Sequence, residues 1–181
     1  MVSDLLILEV SNRYLHELIF RLGLVQASPG VLAFRNYLMR SIMVIAKSQT
    51  PYQLLIADDD PGFRDVLKEL LNPYFKLFEA ESGEEAVELV EHGQVDIVLL
   101  DMHMDVLTGL EAVRIMKEIN AILPCILITA DATDELRQDA TAANAYDVLS
   151  KPVKRQELVT TVSHALVDTY QDPDIPSWLG N

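Results

Sequence analysis

Four short apolar runs along the chain each end on a polar side chain. Gln53-Leu54-Leu55-Ile56-Ala57 leads into Asp58-Asp59-Asp60, and Val95-Asp96-Ile97-Val98-Leu99-Leu100 leads into Asp101. Cys125-Ile126-Leu127-Ile128 leads into Thr129, and Tyr146-Asp147-Val148-Leu149-Ser150 into Lys151-Pro152. Apolar runs this short and this rich in β-branched residues predict strands covered on both faces. Between them, apolar residues recur at helical spacing: Phe63, Val66, Leu67, Leu70 and Leu71; Ala86, Leu89 and Val90; Leu110, Val113, Met116 and Ile119. Pro61 suits a helix start, and that helix should end near Asn72-Pro73. Phe75 to Phe78 alternates like a further strand, and Ser82-Gly83-Glu84-Glu85 opens a helix with acids in its first turn. A last helix is expected from about Lys154 to Tyr170, with Leu158, Val162, Ala165 and Leu166 on its inner face. Strands alternating with helices of this length read as βαβ units and a parallel α/β sheet. Right-handed crossovers then bring every strand's carboxyl end to one edge.

That edge is where open parallel sheets bind ligands. Asp101 is the first candidate for a reactive group, although a strand-terminal aspartate taken alone serves equally as a cap or turn residue. Asp58, Asp59, Thr129 and Lys151 are delivered to the same edge. Three gathered carboxylates repel one another, and a hard divalent cation with oxygen ligands relieves that repulsion. Magnesium fits, since it takes one or two carboxylates and keeps positions for water and phosphate oxygens. A phosphoryl group is the matching substrate. Lys151 would neutralise its oxygens, Thr129 would donate a hydrogen bond, and Asp101 would attack phosphorus.

These residues resemble the receiver domain of two-component response regulators. The resemblance rests on Leu-Leu-Ile-Ala-Asp58-Asp59-Asp60-Pro61, Val-Leu-Leu-Asp101-Met-His-Met-Asp-Val-Leu-Thr-Gly109-Leu-Glu, Ile-Leu-Ile-Thr129-Ala130 and Leu-Ser-Lys151-Pro152, in order over roughly residues 52–170. It implies a doubly wound, flavodoxin-like fold: a five-stranded parallel sheet in order 2-1-3-4-5 with helices on both faces. It also implies that Asp101 accepts a phosphoryl group from a histidine kinase or a histidine phosphotransfer protein. By the same resemblance Asp59, Asp101 and the backbone carbonyl of His103 ligate Mg2+, Asp58 acts through water, and Thr129 and Lys151 contact the phosphoryl oxygens. Output would pass to a downstream protein target by contact, through the surface near residues 132–170. The resemblance makes the chain a signalling module with weak phosphotransfer and autodephosphorylation, not a metabolic enzyme.

The chain departs from that family in two places. Asp105 stands where receivers commonly carry proline, while Gly109 is kept. Val148 stands three residues before the lysine, where receivers usually place a switching tyrosine or phenylalanine; Tyr146 lies two residues earlier, on the same strand face. His103 and Asp131 occupy positions that the family uses to set dephosphorylation rate. Two rival readings stand beside the receiver. Asp58-x-Asp60, Ile128-Thr129 and Lys151 mimic haloacid-dehalogenase-type phosphohydrolases with Asp58 as nucleophile, but the further acidic pair of that family is missing after Lys151. A phosphate-independent pseudo-receiver adaptor would not need the full set of Asp58, Asp59, Asp101, Thr129 and Lys151.

Composition narrows the setting. The 181 residues carry a net charge of −14 and are half hydrophobic. So acidic a chain argues against non-specific nucleic-acid binding. A membrane helix is not expected, because no run of about 18 apolar residues is free of charge. The single cysteine, Cys125, rules out an internal disulfide and suits a reducing, cytoplasmic compartment. The first fifty residues hold five basic and three acidic residues, a balance of +2, which leaves −16 for the remainder. Residues 1–50 therefore read as a separate extension, helical or translated from a wrongly chosen start with Met39 or Met43 the true initiator. Residues 51–171 form the receiver pattern, and 172–181 an acidic tail ending near Trp178-Leu179, either unstructured or docking a partner groove.

Overall fold

A computed structural model describes residues 51–93 and 95–171. The expectations for residues 1–50 and for the tail 172–181 lie outside these. Among the described residues five strands and five helices alternate: β1 (Gln53–Ala57), α1 (Pro61–Leu71), β2 (Lys76–Ala80), α2 (Gly83–His92), β3 (Ile97–Asp101), α3 (Gly109–Ile119), β4 (Cys125–Thr129), α4 (Asp134–Ala142), β5 (Asp147–Ser150) and α5 (Arg155–Tyr170). All strand pairs are parallel, in the order β2-β1-β3-β4-β5. This is the expected doubly wound sheet. The order reverses beside β1, so β1 and β3 are neighbours whose carboxyl ends open on a common crevice.

Burial follows sheet position. β3 and β4 are buried at every residue, whereas the edge strands β2 and β5 keep exposed positions at Lys76, Glu79, Asp147 and Ser150. Strand alternation sends Leu55, Ala57, Val98, Leu100 and Leu127 into one core with Val90, Val113 and Met116 of α2 and α3. Leu54, Ile56, Ile97, Leu99 and Ile126 alternate with them and are fully buried too, on the side where α1 meets β1 and β2, and α5 meets β3. The inner face of α5 is as expected: Leu158, Val162, Ala165 and Leu166 have no exposed surface.

Caps place the helix starts. Asp60 accepts a hydrogen bond from Gly62 N at 2.8 Å with Pro61 at the first helical position of α1. Ser82 caps α2 at Glu85, and Thr108 and Glu111 form a reciprocal capping box at α3. Two sequence expectations shift. The second strand runs Lys76–Ala80, not Phe75–Phe78, because the Phe75 amide donates to Leu71 O to close α1, and ladder pairing starts with Lys76 N on Tyr52 O. On α1 the inner positions are Arg64, Leu67 and Leu71, while Val66 from the apolar stripe is 52% exposed.

Candidate functional site

The carboxyl ends of β1, β3, β4 and β5 bring four of the singled-out residues together. Asp58 follows β1 directly and is 1% exposed; Asp101 closes β3 at 5%. Lys151 reaches in from the end of β5 and binds both: its Nζ lies 2.8 Å from Asp58 Oδ2 and 2.6 Å from Asp101 Oδ1. The same ammonium stands 4.1 Å from the centroid of the Phe63 ring, a cation–π contact that shields it on the α1 side. The remaining carboxylate oxygens are also engaged, Asp58 Oδ1 by Asp60 N at 2.8 Å and Asp101 Oδ2 by His103 N at 2.6 Å. Thr129, fully buried, ends β4; its Oγ1 accepts from Asp131 N, and its carbonyl accepts from Lys151 N at 2.7 Å, which ties β4 to the lysine.

Contact with Lys151 shifts the titration of the groups at this edge. Burial pushes the Asp58 carboxyl above its ordinary range despite the hydrogen bond from Lys151. Burial pulls the other way on the Lys151 ammonium, yet the hydrogen bonds to Asp101 and Asp58 together outweigh it and hold that group above its usual value. Asp59, Asp60, His103, Asp105 and Asp131 are exposed around the rim. Asp60 is spent on the α1 cap. Gly109 is required where it stands: its amide donates to Met102 O, and a Cβ there would collide with the Asp101 carbonyl oxygen. The loop after β3 can therefore fold back tightly beside Asp101.

Asp58, Asp59, Asp101 and the His103 carbonyl offer only hard oxygen donors, the chemistry that magnesium prefers. Among the described residues, however, no three His, Cys, Asp or Glu side chains are gathered closely enough to hold a metal ion. The Lys151 ammonium bridges the Asp58–Asp101 pair and offsets one of its two negative charges.

Two features lay beyond the sequence reading. Arg64, 6% exposed, donates through Nη1 to the Asp58 carbonyl at 2.7 Å and through Nη2 to Glu81 at 2.7 Å. Its signal was a basic residue on the inner stripe of α1, one turn before Leu67. The second feature lies on β5. Arg137 of α4 donates to the Val148 carbonyl at 2.9 Å, and Tyr146, just before the strand, donates its hydroxyl to Asp168 of α5 at 2.6 Å. Tyr146 is thus anchored at the amino end of β5, away from Thr129.

The family described as response regulator receiver domain matches residues 54–163. Transcriptional regulatory protein YvrH of Bacillus subtilis is 31% identical over 126 residues, 68% of this chain and 53% of its own. Chemotaxis protein CheY of Halobacterium salinarum is 32% identical over 115 residues, 63% of this chain and 96% of CheY. A CheY-like receiver domain from Methanospirillum hungatei shares the fold, with a TM-score of 0.65 at 21% identity over 67% of this chain and 98% of that one. The chain spans about half the length of YvrH and 27% of the Escherichia coli regulator GlrR, but nearly all of the chemotaxis protein.

Proposed function

Because the chain belongs to the response regulator receiver domain family, we propose that it is a stand-alone receiver that takes a phosphoryl group on Asp101 and signals by protein contact. The observation that carries this reading is the Lys151 ammonium, held between Asp58 and Asp101 at the mouth of the β1–β3 crevice. The donor is a phosphohistidine on a histidine kinase or a histidine phosphotransfer protein. A carboxylate oxygen of Asp101 forms a bond to phosphorus as the phosphorus–nitrogen bond of the donor breaks, and the released imidazole nitrogen takes up a proton from water. Lys151, already charged, moves from carboxylate to phosphoryl oxygen without any change of protonation. Thr129 turns its hydroxyl from Asp131 N to the phosphoryl group. Asp59, Asp101 and the His103 carbonyl, with Asp58 acting through water, would hold Mg2+, which would supply charge neutralisation on the phosphoryl oxygens.

The work is signalling in the cytoplasm, not metabolism. No helix among the described residues is long and apolar enough to cross a membrane, and the family match favours the receiver over a haloacid-dehalogenase-type phosphohydrolase or a phosphate-independent adaptor. By their charge and sequence pattern we read residues 1–50 as a separate extension, 51–171 as the receiver domain and 172–181 as an acidic tail. Intact-mass analysis after treatment with a small phosphodonor and magnesium tests the reading. One phosphoryl group should appear on the wild type and none on Asp101→Asn. Label that persists in Asp101→Asn but disappears in Asp58→Asn would transfer the chemistry to Asp58 and support the phosphohydrolase instead.

A further inference from the structure

Arg64 is a buried guanidinium in a place where an apolar side chain would fill the same space. It shares the inner stripe of α1 with Leu67 and Leu71, both 2% exposed or less. Desolvating a charge is costly, and a buried ion is often replaced by an apolar side chain without loss of stability. Its carboxylate partners return little of that cost. The Glu81 side chain is 76% exposed, and Glu79, 40% exposed and 3.5 Å from Arg64 Nε, is shared with Lys68 at 3.0 Å. Nε itself makes no hydrogen bond. The one bond that lies wholly inside the protein is the 2.7 Å contact from Nη1 to the carbonyl of the Asp58–Asp59 peptide.

That peptide sets the direction in which Asp59 leaves the chain. Asp58 is held by its own side chain, through Lys151 and Asp60 N. Asp60 is held by the α1 cap. Asp59 lies exposed between them, so the orientation of the Asp58–Asp59 peptide decides where its carboxylate points, and Arg64 grips that peptide from the buried side. We propose that Arg64 is a positioning residue for cation binding at this edge: its hydrogen bond to the Asp58 carbonyl orients the Asp58–Asp59 turn so that both acids face one ion. This rests on the receiver reading above, in which the acids bind magnesium. The device works through the backbone, as an outer partner orients a ligand without touching the metal.

Isothermal titration of the full chain with magnesium chloride tests it, at a temperature where circular dichroism shows each variant folded. Arg64→Met should weaken magnesium binding roughly 10–100-fold, the usual cost of losing an outer partner. Arg64→Lys keeps a buried charge but has no fork to hold both the Asp58 carbonyl and Glu81, and it should recover part of the loss. A lowered melting temperature with magnesium affinity unchanged would make Arg64 a mere staple between α1 and β2 and overturn the proposal. If Arg64→Met does not fold, Arg64→Lys decides by itself: weaker binding than wild type supports the proposal, and equal binding overturns it. Asp59→Asn separates the two levels. Abolished binding there upholds the receiver site whatever the arginine variants do, while a wild type that binds no magnesium removes that site and this role together.

Discussion

Replacing Lys151 by methionine keeps an unbranched chain beside the Phe63 ring while removing the ammonium that joins Asp58 to Asp101. Two buried carboxylates are then left facing each other without a counter-charge. Stranding a fully buried charge costs about 3–5 kcal/mol, and breaking an exposed pair costs about 1 kcal/mol or less. The Lys151 side chain is 26% exposed and its partners are 2% and 6% exposed, so the loss should fall between, at about 2–3 kcal/mol. For a domain of this size that is roughly 8–12 °C in melting temperature. The pH dependence has a definite sign. Lys151, raised above 10.5 by its acid partners once burial is overcome, contributes stability that is present below 10.5 and lost as pH rises through its folded value. Asp58, raised by burial, ionises in the fold above 3.8, so acid relieves the stranded carboxylate in the variant. The gap between wild type and Lys151→Met should therefore be full at neutral pH and close both in acid and above pH 10.5. Magnesium should stabilise both forms at pH 7 by binding the native acids, by roughly 2.7 kcal/mol at ~100 times the dissociation constant of each. It should narrow the gap only by as much as the variant, freed of its competing ammonium, binds the ion more tightly. Urea melts at pH 4, 7 and 11, with and without magnesium, read all of this. A gap equal at pH 4 and 7 would show that Lys151 acts by packing and not by neutralising the acid pair.

Other consequences are tested separately. Burial pushes the Cys125 thiol up to about 12 against 9.0 in the unfolded chain, so the fold should lose about 2 kcal/mol between pH 9 and 10.5 as only the unfolded thiol ionises; urea melts of Cys125→Ala should show a correspondingly shallower alkaline decline, and an unchanged slope would refute the assignment. Deleting residues 1–42 should leave cooperative unfolding and phosphorylation intact, because the receiver match begins at Leu54; loss of cooperative denaturant unfolding in the short form would contradict this. Val148 is too small and stiff to fill and vacate an aromatic pocket, so phosphorylation should raise partner affinity by less than the roughly 5–150-fold of ordinary allosteric coupling, carried by the loop after Thr129 and by α4 through Arg137. Partner titrations with a phosphoryl mimic, in wild type and Val148→Tyr, check it: a full-size gain in wild type with nothing added by tyrosine would sink the idea.

What could be read from the sequence was set by burial on both sides. β1, β3 and β4 stood out because their neighbours cover both faces and leave no room for polar residues inside the run, so the acids and the threonine that end them were visible as ends. At the sheet edges that pressure is relaxed, and Phe75 is apolar because it closes α1, not because it belongs to β2. α4 left almost no periodic trace, since Ala140 is its one buried residue and its sequence, Asp-Glu-Leu-Arg-Gln-Asp-Ala-Thr-Ala, is otherwise polar.

Arg64 defeats periodicity for the opposite reason. Pattern reading treats a charge as solvent-facing, so a guanidinium on the buried stripe of α1 is counted as a break in the stripe and Val66 is drawn in to mend it, although Val66 faces water. The same habit shaped the expectation for the acids. Repulsion among Asp58, Asp59 and Asp101 implies a cation, and the sequence brought Lys151 to this edge only as a partner for phosphate; the 2.6 and 2.8 Å contacts add that its ammonium bridges Asp58 and Asp101 directly. The two sources of charge are not rivals. The ammonium bridges the pair in the unphosphorylated protein, and in the proposed reaction it would leave Asp101 for a phosphoryl oxygen at little cost, because the negative charge it follows would move only from the carboxylate to the group newly bonded to it.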